Sequence, residues 1–170
     1  MKINNLRDLF EIELRYAYDC EKKLVKKGLP GMIEGASTPE LRRALEQHLE
    51  ETRNQVTRLE RVFSILGAKA GTTKDNDVLD ELTSAAEDLI SDIPASPLRD
   101  AALIVSGNQV EHYEIALYGS LVAFSGQFGL QDAAGLLKQT LEEEKAADAK
   151  LTQIGETSVN PAAAQERRAA

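Results

Sequence analysis

The sequence predicts an all-α protein, an antiparallel four-helix bundle in which one long connection carries a short fifth helix. Three observations predict it. Apolar residues recur at steps of three and four in four long segments, the mark of helices with one buried face. The chain is rich in Ala, Leu, Glu and Lys, with five prolines and no tryptophan, a composition that favours helix. Two of the connections between long segments are short and one is long.

The first helix runs from about Asn5 to Lys27, with Leu6, Phe10, Leu14, Ala17, Leu24 and Val25 on one face and Glu21 among them. Basic residues, glycine and proline in "KKGLPG" end it. The second begins at "STPEL", where Ser37 and Thr38 are cap candidates and Pro39 suits the first turn. Ser37 with Glu40 matches a capping box. This helix reaches about Leu66, and "GAKAGTTKDND" follows as a loop. Residues 78 to 91 form a shorter amphipathic helix with Val78, Leu82, Ala85, Ala86 and Leu89 on one side. "DIPASP" breaks the chain, the third long helix runs from about Leu98 to Phe124, and "SGQFGL" turns it. The fourth runs from about Gln131 to Ile154. One domain therefore covers residues 1–155, long enough to bury a core without staples. The tail 156–170 lacks apolar periodicity and reads as mobile.

Short links make the first and second helices one antiparallel hairpin, and the third and fourth another. The long link lets the chain travel the length of the bundle, so the second and third helices run parallel. That single crossover is the ferritin-like arrangement. An internal repeat agrees with two hairpins. "LRDL" at 6–9 matches "LRDA" at 98–101, and "QHLEETRNQVTRL" at 47–59 matches "QTLEEEKAADAKL" at 139–151, both at an offset of 92.

A formal charge of -8 and a pI near 4.9 argue against nucleic acid and anionic membranes as partners, and suit cations. The single Cys20 forms no internal disulfide, which fits a reducing compartment. The start "MKINNLRDLFEIELR" is amphipathic, unlike a signal peptide, and no apolar run is long enough for a membrane span. The expected location is the cytoplasm.

Helical wheels place polar groups where a core is expected. Glu21 lies on the apolar face of the first helix, with Glu13 at its edge. His48 and, less centrally, Glu51 belong to the second. Glu111 and Glu114 fall among Ile104, Val110 and Leu121 on the third. Glu144 sits amid Leu137, Leu141 and Leu151 on the fourth, with Glu143 on its flank and Asp148 a turn beyond. Lys22, Lys23, Arg53, Arg58, Lys145 and Lys150 read as outer-face residues that cannot neutralise them. Several buried carboxylates facing one another repel unless cations join them. Oxygen-rich ligation with an imidazole suits two iron or manganese ions per subunit, iron favoured. Glu21 and Glu114 read as terminal ligands, and Glu51 with Glu143 or Glu144 as bridging candidates. Of Glu143 and Glu144 only one is expected to touch metal. Glu111 either ligates or orients His48 or Tyr118.

The segments "LRDLFEIELRYAYDCEKKL", "TPELRRALEQHLEET", "QVEHYEIALYGSL" and "LEEEKAAD" together resemble the YciE/YciF group of ferritin-like bacterial proteins, over about residues 4 to 155. The resemblance implies a ferritin-like bundle with a carboxylate-rich centre, a homodimer, and a role in bacterial stress responses. One departure stands out. Di-iron bundles carry Glu-x-x-His on two helices, whereas here the order is His48-x-x-Glu51 and the fourth helix has no histidine. His112 falls off the core face. The functional expectation is a di-metal site reacting with peroxide or dioxygen. The alternatives are a structural or assembly protein with a structural or vestigial site, and iron storage, which needs a closed shell of subunits.

Overall fold

The chain enters its first helix on Asn5, whose side chain accepts a hydrogen bond from the Asp8 N–H at 2.9 Å. In the computed structural model, which describes residues 3–71 and 76–166, α1 spans Leu6–Lys23. It does not end at "KKGLPG". A π-helical turn, Leu24–Gly28, passes directly into α2, Leu29–Gly35. Within an α-helix a proline lacks the N–H, and its ring meets the carbonyl four residues back. Here the Leu29 N–H bonds the Leu24 carbonyl, one residue further back than in an α-ladder. That widened turn precedes Pro30 and makes room for its ring.

The same device recurs at the other end. Helix α6, Gln131–Ile154, runs into a π-helical turn, Gly155–Val159, and then α7, Asn160–Glu166. The Asn160 N–H bonds the Gly155 carbonyl, and Pro161 follows. The mobile tail that the sequence predicts from residue 156 is therefore helical as far as Glu166. Buried Val159 anchors it in the same apolar cluster as Ile104 and Ile154. The last four residues lie outside the described part.

Helix α3 spans Pro39–Ile65 and is capped by another helix. The buried Asp100 of α5, Pro97–Gln127, accepts from the Ser37 N–H at 2.6 Å and the Thr38 N–H at 2.8 Å. The Thr38 side chain makes no capping bond, and the Ser37–Glu40 box gives way to the Asp100 carboxylate. Both α3 and α5 end on left-handed glycines, Gly67 and Gly129, each at φ 66°. The following N–H groups reach back, Ala68 to Phe63 and Leu130 to Ser125.

The crossover helix α4, Asp77–Asp92, is rotated from its expected face. Leu79 and Ala86 are buried, while Val78, Ala85 and Leu89 are exposed. Its entry explains the rotation. Buried Asn76 donates from its backbone to Asp19 at 2.9 Å, and from its side chain to the Tyr16 carbonyl and the Tyr113 hydroxyl. Lys23–Asp80 and Lys27–Glu87 ion pairs hold the outer side against the first rod.

The result is a ferritin-like four-helix bundle with a helical crossover, and no strand among the described residues. Its core is split. Phe10, Leu14, Phe63, Leu121 and Leu137 belong to one apolar cluster. Leu24, Leu41, Leu45, Leu103 and Ile154 belong to the other. Along the long helices the buried residues between the two clusters are polar.

Candidate metal centre

The polar layer is built one turn at a time. Glu21 comes from α1, His48, Thr52 and Gln55 from α3, Glu111 and Glu114 from α5, and Thr140 and Glu144 from α6, all buried. Spacings of three and four keep these groups on one inward face of each helix. His48 Nε2 lies 3.2 Å from Glu111 Oε1 and 3.7 Å from Glu144 Oε2. Its other ring nitrogen, Nδ1, lies 3.5 Å from Glu51 Oε2. His48, Glu111 and Glu144 can each offer a ligand atom within 4.8 Å of the others. The Cys20 thiol donates to Glu114 Oε1 at 3.4 Å, and the Tyr118 hydroxyl donates to Glu21 Oε1. Glu21 Oε2, Glu111 Oε2 and both Glu144 oxygens are buried without a hydrogen-bond partner.

Such orphaned oxygens are costly as anions. Burial pushes Glu21 up to about 8, although the Tyr118 hydroxyl and His48 work against it. Burial and mutual repulsion with Glu21 raise Glu114, and burial with repulsion from Glu114 and Glu21 raises Glu144. For His48, burial favours the neutral ring, but the Glu111 and Glu51 carboxylates outweigh it and lift the imidazole well above its ordinary value. In return, hydrogen bonding to His48 lowers Glu51. Cys20 and Tyr118 are held protonated by burial and the nearby carboxylates, so both serve as donors. Without cations the layer therefore retains protons. A buried His/Glu/Glu group of this kind can hold a metal ion.

A family model described as a domain of unknown function, DUF892, matches residues 5–164. The chain belongs to the DUF892 family. It is 37% identical to protein YciF of Escherichia coli over 160 residues, 94% of this chain and 96% of that protein. The crystal structure of that E. coli protein, described as a stress protein, superposes with a TM-score of 0.88, covering 93% of this chain and 99% of the other. YcfI from Rhodopseudomonas palustris, described as a putative structural protein, is 38% identical with a TM-score of 0.85, covering 89% and 95%. Among the described residues no helix is long and apolar enough to cross a membrane.

Within this DUF892 bundle the residues singled out by sequence fall into two groups. Glu21, His48, Glu111, Glu114 and Glu144 meet in the buried layer. Glu51 and Glu143, the pair equated by the internal repeat, sit half-buried at its rim. Glu51 faces Nδ1 of His48, on the other side of the ring from Glu111 and Glu144. Glu143 is engaged by Arg58, which donates from Nη1 and Nη2 to its two oxygens at 2.8 and 2.9 Å. Arg58 is thus buried, not on an outer face. It also donates to Thr140 at 2.6 Å, because α6 packs along that side of α3. His112 is exposed and pairs with Asp148 at 3.3 Å, away from the layer. Glu13 lines a separate cavity with Tyr113 and Leu117.

Sequence reasoning missed Cys20, Gln55 and Thr140 as members of the layer. The 48–52–55 spacing on α3 was the available signal, since it prolongs the stripe that begins at His48. Cys20 shares an arc with Ala17, Glu21 and Leu24, and its small, weakly polar side chain gives no separate sign. A cavity of about 240 Å³ between α3 and α6 reaches His48, Glu51 and Glu111 past Gln47 and Lys150, giving the layer a polar approach.

Proposed function

We propose that this protein is a bacterial stress-response protein whose buried layer binds two divalent ions, iron in preference to manganese, and reacts there with peroxide or dioxygen. One observation carries the reading. Four buried glutamates surround one histidine, three of them (Glu21, Glu111 and Glu144) with unpartnered oxygens, while the buried Arg58 is committed to Glu143 and Thr140. With His48 neutral, four carboxylates carry the negative charge that two divalent cations balance. The oxygen-rich donor set favours iron or manganese over zinc. The 37% identity to the E. coli stress protein supports the physiological setting.

In this reading His48, Glu111 and Glu144 would hold one ion and Glu21 with Glu114 the other. Bound, such a pair supplies a redox couple and open positions for an oxidant. The chain's own residues prepare the ligands. Glu51 accepts from Nδ1 of His48 and turns the Nε2 lone pair toward Glu111 and Glu144, the orienting role common beside metal-binding histidines. Tyr118 and Cys20 each fix one carboxylate oxygen, on Glu21 and Glu114, and keep their protons while doing so. The apolar clusters flank the layer on either side.

Metal content per subunit, measured on protein prepared without chelator, tests the reading. About two iron or manganese ions are expected. Glu114→Gln and Glu144→Gln should lose metal, and Glu143→Gln should keep it. A chain that holds none and takes up none when iron or manganese is added would sink the proposal.

A second reading, a non-enzymatic structural or assembly role, is favoured by the description of the Rhodopseudomonas relative. Metal would then stabilise the bundle without turnover. Under either reading we propose a homodimer. Leu98 and Val105, exposed one heptad apart on α5, offer an apolar strip for it, and light scattering would measure its mass.

A further inference from the structure

A larger hollow adjoins the polar layer. It measures about 500 Å³ and runs between the first helical rod, α4 and α5. Its two ends differ in chemistry. Gly35, Ile90 and Arg99 mark one end, and Leu24, His48 and Glu111 the other. On α5, Arg99 and Glu111 are separated by about 18 Å of helix rise. The wall between them is apolar, formed by Leu29, Met32, Leu45, Ala86, Val110 and Leu151. Gly107 keeps this wall in place, because a Cβ there would lie 2.7 Å from Leu151 Cδ1 and 3.4 Å from Met32 Cε. The widened π-helical turn contributes Leu24, Lys27 and Gly28 to the wall, and such turns recur at functional sites.

Protein interiors are close-packed, and an apolar hollow of this size has the dimensions of a ligand site. The charges at its edge discriminate between ligands. Lys27 is paired with Glu87 at 2.8 Å, and Glu34 lies exposed on the rim. Arg99 is half-buried, its Nε is buried without a partner, and no carboxylate among the described residues pairs with it. A guanidinium so placed matches a carboxylate head group. A single arginine suits a singly charged head better than a doubly charged phosphate monoester.

We propose that this cavity binds a single-chain anionic amphiphile, a fatty-acid-like carboxylate, with its head on Arg99 and its tail running toward the His48–Glu111 edge. Occupancy depends on the cavity and Arg99 and not on metal, so failure of the metal reading leaves it intact.

The test is calorimetric titration of chelator-treated, full-length protein with sodium dodecanoate below its micelle concentration. One site per subunit is expected. Arg99→Gln should weaken binding at least tenfold, and dodecyltrimethylammonium, with the same chain and opposite charge, should bind at least tenfold more weakly. Ala86→Phe, filling the cavity from α4, should abolish binding, with its fold checked by circular dichroism. Thr83→Phe, from the half-buried rim, replaces it if that variant does not fold. No heat with dodecanoate overturns the proposal, as does binding that survives the cavity-filling variant. Equal affinity for the cationic amphiphile overturns it too.

Discussion

Glu143 and Glu144 are neighbours in sequence yet point about 100° apart on α6, and the arginine across the interface separates their roles. Arg58 grips Glu143 through two nitrogens and Thr140 through one, leaving Glu144 with both oxygens free. A helical wheel built on apolar positions puts Arg58 outside, because a wheel does not know which neighbour covers its flank. Here α6 covers it, and the aliphatic stem of arginine tolerates that burial while the head finds a carboxylate. Arg58→Met therefore tests both stability and site membership. Removing one partner of a buried ion pair is strongly destabilising, but the Glu143 side chain keeps 25% of its exposure and water softens the loss. The expected cost is about 1–3 kcal/mol in urea unfolding, with metal content unchanged. Adding Glu143→Met should recover much of that loss. A fall in metal content in Arg58→Met alone would bring Glu143 back among the ligands.

The elements show what a sequence pattern can and cannot carry. Periodicity locates the four long helices and the helical crossover, because each buries one face and that requirement is written in every turn. The ends are another matter. Pro30 lies in the segment that reads as a terminator and Pro161 in the one that reads as a mobile tail, yet each follows a π-helical turn that admits its ring, and the helix continues. Whether a proline stops a helix depends on whether the next turn finds an apolar seat. Leu29 and Met32 find one after the first turn, and Val159 seats the second turn itself. The α3 cap is illegible for a similar reason, since its acceptor lies on another helix. Asp100→Ala would strip the acceptor from the Ser37 and Thr38 N–H groups and should cost about 1–2 kcal/mol. Asp100→Asn keeps one carbonyl oxygen and should lose less. Chemical denaturation of the two variants checks this, and equal stability of Asp100→Ala and the parent would show that the contact does not cap α3.

At the scale of the whole molecule, the bundle consists of two apolar clusters joined through an ionisable layer, and its stability should report the state of that layer. Consider the chelator-treated protein. Glu21 titrates near 4.5 when unfolded and at about 8 when folded, and Glu114, Glu144 and His48 are all raised in the folded state. Between those limits the folded chain binds more protons than the unfolded one, so stability falls as pH rises. Each such group contributes up to about 1.4 kcal/mol per pH unit while it is protonated folded and ionised unfolded. Glu51 is shifted the other way, and its contribution is lost only on acidification toward its lowered value. The metal-free protein should thus melt highest near pH 5 and progressively lower toward pH 8. Divalent ions take the place of the retained protons, so loading should release protons and flatten the decline. Thermal melts across this range, with and without manganese, measure both curves. If the chelator-treated protein instead gained stability from pH 5 to 8, the layer would be compensated by groups other than the carboxylates and histidine described, and its need for cations would disappear with it.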